Sequence, residues 1–414
     1  MQIGSSVMTV DGEKRSIDSD SAQTAPSIVR DRTLLPVRAV VEAMGGSVSW
    51  SDDTQTAVLK CGDSDISLTI GNASALLNNE SVVLDVEPVI INNRTMLPIR
   101  FIAESFGYAV GWVGRTQTVT IIKAENADAS FDFKSRSVAL NNGVEMPIVG
   151  IGMFTLTPEQ AENSVYHALS YGYKLIDTAN AYNNEEGVGA GIARAGVARE
   201  EIFVTTKLWP TDYEDVDGAV DETLERLGLE YIDLLLLHQP FGDYIAGYQG
   251  MEAAVAAGKV RSIGLSNFNE ESFAEIMEVA DITPAVLQVE SNPWFHQTEM
   301  REYAKQYGTV INAWFPLGGR GQTQAMFSEP TIVEIAEAHD VNPAQVVLRW
   351  HLQIGNIAIP GSTNPEHILE NISNFNFELT NEEMEKISAM DRGHGSFDFG
   401  GGGEVPNFNS FEAP

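Results

Sequence analysis

Four residues whose side chains hold or release protons stand at or shortly after the ends of apolar runs in the second half of the sequence. Asp177 ends the run in KLID, Tyr182 follows five places later, Lys207 ends EIFVTTK and His238 ends IDLLLLH. Carboxylate, phenol, ammonium and imidazole are the groups from which general acid–base sites are assembled. Singly, each has a packing explanation: a strand stop, a packing aromatic, a surface charge, a hydrogen-bonded core histidine. All of them on one rim, in successive units, are hard to obtain by packing alone.

The elements that would carry them are short apolar runs alternating with helical patterns: GIGM, KLIDT, EIFVTTK, IDLLLLH, KVRSIGLS, AVLQVE, TVINAWF and NIAIP. Continuous apolar strands separated by amphipathic helices indicate a parallel sheet covered on its outer face. Eight such units over about 250 residues have the size of a closed (β/α)8 TIM barrel, whose chemistry sits at the C-terminal strand ends. A doubly wound sheet is the other possibility. Against it, no GxGxxG follows a first strand, and GAGIARAG (189–196) has its glycines at the wrong spacing inside a helical pattern.

The first 123 residues follow another pattern. RTLLPVRAVVEAMGGSVSWSDDTQTAVL (32–59) aligns without a gap on RTMLPIRFIAESFGYAVGWVGRTQTVTI (94–121). Arg32, Pro36, Arg38, Gly45, Trp50 and Gln55 fall on Arg94, Pro98, Arg100, Gly107, Trp112 and Gln117. Each copy reads as a hairpin, an amphipathic helix stopped by its glycine, and a closing hairpin. The expected organisation is a small duplicated α+β domain (1–123), a polar linker (124–136), the α/β barrel (137–395) and a glycine-rich flexible tail (396–414).

Twenty-five basic against fifty-eight acidic residues give a formal charge of −33, spread singly and in pairs. Such a field repels nucleic acid and anionic membrane, so neither is an expected partner. No window reaches the ~18 apolar residues of a membrane-spanning helix. The start lacks the basic flank and apolar core of a secretory signal, so the chain as given is expected in the cytoplasm. The second repeat, however, opens with a strand, ISLTIG, whose counterpart in the first copy would precede Met1. The natural chain is therefore expected to be longer, with export possible if a targeting segment is missing. Cys61 is the single cysteine and all seven histidines lie at 167 or beyond, so no disulfide and no metal site is expected.

On its repeated Arg, Pro, Gly and Trp positions, the duplicated segment resembles the copper amine oxidase N-terminal-like domain, often found on exported bacterial proteins. What that domain binds is not readable from its residues. Residues 137–395 resemble the aldo-keto reductase family: GYKLIDTANAYNNEEGVG, KLWP, LLLLHQP, GLSNF, QVESNPW and AWFPLG stand in the family's order, with Lys174 where arginine is commoner. The resemblance implies reduction of a small carbonyl substrate with NADPH (NADH possible), and it puts Asp177, Tyr182, Lys207 and His238 in the catalytic positions. Hydride reduction needs a proton donor for the developing alkoxide, and a phenol with an ordinary pKa of ~10 exchanges protons poorly at neutral pH. On this reading Tyr182 is the general acid, Lys207 lowers its pKa, Asp177 anchors Lys207, and His238 orients the carbonyl or shares the proton relay.

By the same resemblance, Ser266, Asn267 and Gln288 would hold the nicotinamide carboxamide, and Trp314 would stack on its ring in place of the commoner tyrosine. Leu317 and Gly318 fall in the loop over the pyrophosphate, and Glu370 and Asn371 at the adenine end. Ser362 and His367 fall where the 2′-phosphate is held, but IPGSTNPEHILEN has Gly361 for a lysine and His367 for an arginine. Relaxed preference for NADPH is therefore expected. Phe154, Trp209, Gln239 and Phe241 would line the substrate pocket, with Gln239 where tryptophan often follows the histidine. The expected activity is reduction of aldehydes, ketones or keto-sugars. The alternative class is a nicotinamide-binding or surface-interaction protein using the barrel as scaffold, which would have no need of all four proton-handling residues.

Overall fold

The computed structural model describes residues 1–396 apart from 11–12, 19–23, 30–31, 63, 85, 93, 114–117, 124–130 and 320. The chain divides into two compact units, 1–125 and 126–414. Gln117, the first seven residues of the stretch read as linker, and the tail beyond 396 lie outside the described residues.

The first unit bears out the duplication in its backbone. Strand Arg32–Pro36 leads into helix Val37–Ala43, and strand Arg94–Pro98 into helix Ile99–Ser105. The two equivalent strands pair antiparallel with Leu35 opposite Leu97, Pro36 opposite Met96 and Leu34 opposite Pro98. Since the copies are offset by 62 positions, each residue faces the equivalent of its own mirror position, which is the register of a local two-fold axis. The outer strands of this four-stranded sheet, Ser27–Val29 and Val89–Ile91, are likewise equivalents. Gly45 and Gly107, one after each helix, have φ of 82° and 78°, a left-handed turn that glycine adopts without a Cβ clash.

The second unit is an eight-stranded parallel sheet in sequential order. Its strands are β1 (Gly150–Gly152), β2 (Leu175–Asp177), β3 (Phe203–Leu208), β4 (Ile232–Leu237), β5 (Val260–Ser266), β6 (Val286–Glu290), β7 (Val310–Trp314) and β8 (Asn356–Ala358). A parallel bridge between Val149 and Ala358 closes the sheet into the expected barrel. FVTTKL and IDLLLL are buried at every position, as strands covered on both faces must be.

Helices between the strands start where their caps dictate. Thr157 forms a capping box with Gln160 ahead of α1 (Pro158–Ser170). Helix α2 (Glu185–Ala195) ends at Gly196 with φ 64°. Helix α3 (Val216–Leu227) ends at Gly228 with φ 65°. Beyond β8, Asn364 caps α4 (Pro365–Ile372) by accepting from Glu366 N–H.

A three-stranded sheet (Phe131–Asp132, Ser137–Ala139, Glu145–Pro147) precedes the barrel. Asn141 and Asn142 in its turn donate to the Pro284 and Arg261 carbonyls, near the starts of β6 and β5, so it covers the N-terminal mouth. Residues 131–136, read as linker, thus belong to this hairpin: Phe131 pairs with Val138, and its partly buried ring packs on the barrel core. Among the described residues, no helix is long and apolar enough to cross a membrane.

Candidate active site

Lys207, buried at the end of β3, uses all three of its ammonium donors. Its Nζ lies 2.6 Å from Asp177 Oδ1, 2.7 Å from the Thr178 carbonyl oxygen and 3.4 Å from the Tyr182 hydroxyl. The other carboxylate oxygen, Asp177 Oδ2, accepts from Gln288 Nε2 at 2.6 Å. Strands β2, β3 and β6 are thereby tied together beneath Tyr182, which sits in a single 3-10 turn, Asn180–Tyr182. The Tyr182 ring packs at 5.1 Å from that of Phe154 and 5.6 Å from His238, and His238 meets Trp209 edge-on at 5.0 Å.

Burial dominates the electrostatics. It raises the Asp177 carboxyl above its usual range, against the pull of Lys207. It also works against the Lys207 charge, but Asp177 and Tyr182 hold the ammonium above its ordinary value, so it stays protonated. For Tyr182, burial pushes the phenol upward, Lys207 pulls it down and Asp177 pushes it up, and the net direction is upward. The lowering expected of Lys207 is thus present but outweighed by desolvation of the phenolate. Burial, then the Lys207 charge, pushes His238 well below the usual imidazole value, so its ring is neutral.

Above these groups opens a cavity of about 700 Å³. Tyr182, Asp177, His238, Trp209, Gln239 and Phe154 line it, and so do Ser362, Thr363, Asn364 and His367, at the start of α4. Ser266, Asn267, Gln288, Trp314 and Leu317 also line it. The Trp314 indole N–H donates to Asn267 Oδ1 at 2.9 Å, and Asn267 Nδ2 lies 3.2 Å from both the His238 carbonyl and Ser266 Oγ. Asn267 adopts φ 64°, which asparagine tolerates better than most residues. An aromatic plate, polar strand ends and a helix N-terminus around one cavity fit the parts of a phosphorylated nicotinamide dinucleotide.

Phe241, Gly318, Glu370 and Asn371 do not line this cavity. Phe241 and Asn371 are buried and Glu370 is exposed on α4. At Gly318, φ is 94° and a Cβ would lie 3.3 Å from Met326, while Gly319 and Gly321 face the cavity instead. Thr155, Leu156 and Phe315, not anticipated from the sequence, line it too. Each lies within four residues after a barrel strand, and that position was the available signal. Among the described residues no cluster of His, Cys, Asp and Glu could hold a metal ion.

Residues 148–392 match the model of the aldo/keto reductase family, and residues 9–121 that of the copper amine oxidase N-terminal domain. Morphine 6-dehydrogenase of Pseudomonas putida is 44% identical over 274 residues, covering 63% of this chain and 93% of that protein. Glyoxal reductase of Bacillus subtilis is 44% identical over 260 residues, covering 62% and 93%. Among solved structures, the Bombyx mori aldo-keto reductase in complex with NADP has a TM-score of 0.61 at 37% identity, covering 63% of this chain and 94% of that one. An aldo-keto reductase from a Medee basin deep-sea metagenome library has a TM-score of 0.62 at 40% identity, covering 63% and 97%.

Proposed function

Because the chain belongs to the aldo/keto reductase family, an NAD(P)H-dependent oxidoreductase family, we propose that it reduces small aldehydes, ketones or keto-sugars with Tyr182 as the proton donor. The observation that carries this reading is the buried Asp177–Lys207–Tyr182 chain, with Lys207 bonded at 2.6 Å to Asp177 and 3.4 Å to Tyr182. NADPH, when bound, supplies the hydride.

Tyr182 holds its proton until negative charge develops on the carbonyl oxygen, because burial keeps the phenol protonated. Lys207 then stabilises the phenolate that remains, so proton release costs less than in the same buried site without an ammonium. Asp177, held at its second oxygen by Gln288, keeps Lys207 charged and in place. His238 is neutral and suits a hydrogen bond to the carbonyl oxygen better than a role as imidazolium acid. Phe154 and Trp209 wall the reacting end with apolar surface, which limits water there.

Trp314 would face the nicotinamide ring, with Ser266, Asn267 and Gln288 at its edge, and Ser362 and His367 would hold the 2′-phosphate near the first turn of α4. Morphine 6-dehydrogenase and glyoxal reductase act, by name, on morphine and on glyoxal, and they support oxidoreduction at a carbonyl centre. NADPH oxidation followed by absorbance with a panel of aldehydes, ketones and keto-sugars tests the activity. Turnover with none of them, alongside measurable NADPH binding, would favour the binding-protein alternative.

A further inference from the structure

Asn184, at the start of α2 two residues beyond Tyr182, is fully buried, yet its side chain plays no part in the chemistry above. Its amide Nδ2 donates to two carbonyls, Met153 at 2.8 Å and Leu156 at 3.0 Å, while its Oδ1 accepts from the Thr178 hydroxyl at 2.8 Å. The carbonyls bracket the turn after β1, whose Phe154 ring packs on Tyr182 and whose Thr155 lines the catalytic cavity. Thr155 has φ 67°, a left-handed conformation unfavourable for a β-branched residue that persists only where surroundings enforce it. Thr178, on the other side, supplies the carbonyl that accepts from Lys207 Nζ at 2.7 Å.

We propose that Asn184 is a positioning residue for proton transfer: one amide clamps the strained Met153–Leu156 turn against Tyr182 and fixes Thr178, and through it the Lys207 ammonium. Only an asparagine-like amide supplies two diverging donors and an acceptor at that reach. The proposal rests on Tyr182 being the acid and deepens it. If Thr178 is released, Lys207 loses one of its three fixed acceptors and its hold on the phenol weakens. Tyr182 then becomes harder to deprotonate.

Asn184→Ala removes both donations to the turn and the acceptor of the Thr178 hydroxyl at a fully buried position and is at risk of not folding, so the primary test uses Thr178 and Thr155. Thr178→Val keeps the shape and removes only the donation to Asn184, whereas Thr178→Ser keeps the hydroxyl. The proposal expects Thr178→Val to lower kcat by about tenfold or more, since a misplacement of about 1 Å can cost ~10²-fold. Its alkaline limb in the pH–kcat profile should move to higher pH, and Thr178→Ser should restore both. Thr155→Gly should raise Tm while lowering kcat/KM, because it relieves strain that serves the site. Thr178→Val with a lowered Tm but a wild-type kcat and pH profile would overturn the proposal, as would Thr155→Gly with unchanged kcat/KM. Tyr182→Phe is assayed alongside. If it stays active, the underlying reading of the acid fails; if it is inactive while Thr178→Val is normal, only the role of Asn184 fails.

Discussion

Asp177 and Lys207 form a buried ion pair, Oδ1 to Nζ 2.6 Å, with almost no solvent at either side chain. Two ends of neighbouring strands are joined by it, and each charge depends on the other to remain charged out of water. Asp177→Asn leaves the ammonium uncompensated. The expected loss is about 3–5 kcal/mol of stability, the usual result of breaking a buried pair on one side. Urea unfolding of the variant measures it, and a loss below about 1 kcal/mol would mean that the pair is not buried as described.

Reduction should tolerate alkaline pH. The acid form of Tyr182 is the one required, and its pKa is raised by burial. The donor therefore stays protonated as pH rises through neutrality, and kcat for reduction falls only as pH passes above the ordinary phenol value of ~10. A limb near neutral pH in kcat under saturating cofactor and substrate would contradict the net upward shift.

Acid should weaken the barrel through His351. Its Nε2 lies 3.1 Å from the Pro316 carbonyl oxygen, and burial lowers its pKa to about 3. The folded value lies below the unfolded one, so the unfolded chain binds more protons between about 3 and the ordinary imidazole value. Stability from this group is complete above ~6.5 and falls as pH drops, by up to about 1.4 kcal/mol per unit. His351→Gln should flatten that part of the stability–pH curve relative to wild type, measured by denaturant midpoints from pH 7 to pH 4.

Cofactor preference should be weak. With Gly361 and His367 where a lysine and an arginine are expected, a 2′-phosphate has fewer permanent charges to pair with. The ratio of kcat/KM for NADPH over NADH should therefore be modest, with measurable turnover of NADH. A large ratio would mean that another basic residue holds the phosphate.

Much of the barrel was legible in the sequence because its strands are buried on both faces. LLLL in β4 and VLQVE in β6 have no amphipathic ambiguity, and a titratable residue ending such a run stands out, as Asp177, Lys207 and His238 do. The duplicated domain was legible because its copies keep their register. Other features depend on closure of the chain in three dimensions. Gln288 reaches Asp177 from a strand 111 positions away, and Asn184 joins loops that no local pattern connects. The upward shift of Tyr182 is not legible in the sequence, which shows the ammonium that lowers it but not the burial that raises it.

Independence of the two units is the next expectation. A chain beginning at residue 126 contains the whole barrel with the hairpin that covers its mouth. It should fold and keep the reductase activity of the full chain. Insolubility or loss of activity would mean that the first unit completes the barrel or its cavity.

The most direct test of the account is carbonyl reduction by Tyr182→Phe, measured with NADPH and the best substrate of the panel, together with NADPH binding by fluorescence titration. Removing the hydroxyl deletes the proton donor and leaves the Trp314, Ser266 and Asn267 side of the cavity untouched. Turnover should fall by at least ~10²-fold, the usual share of general acid catalysis, with the NADPH dissociation constant within about twofold of wild type. Near-wild-type turnover by this variant would contradict the assignment of Tyr182 as the acid.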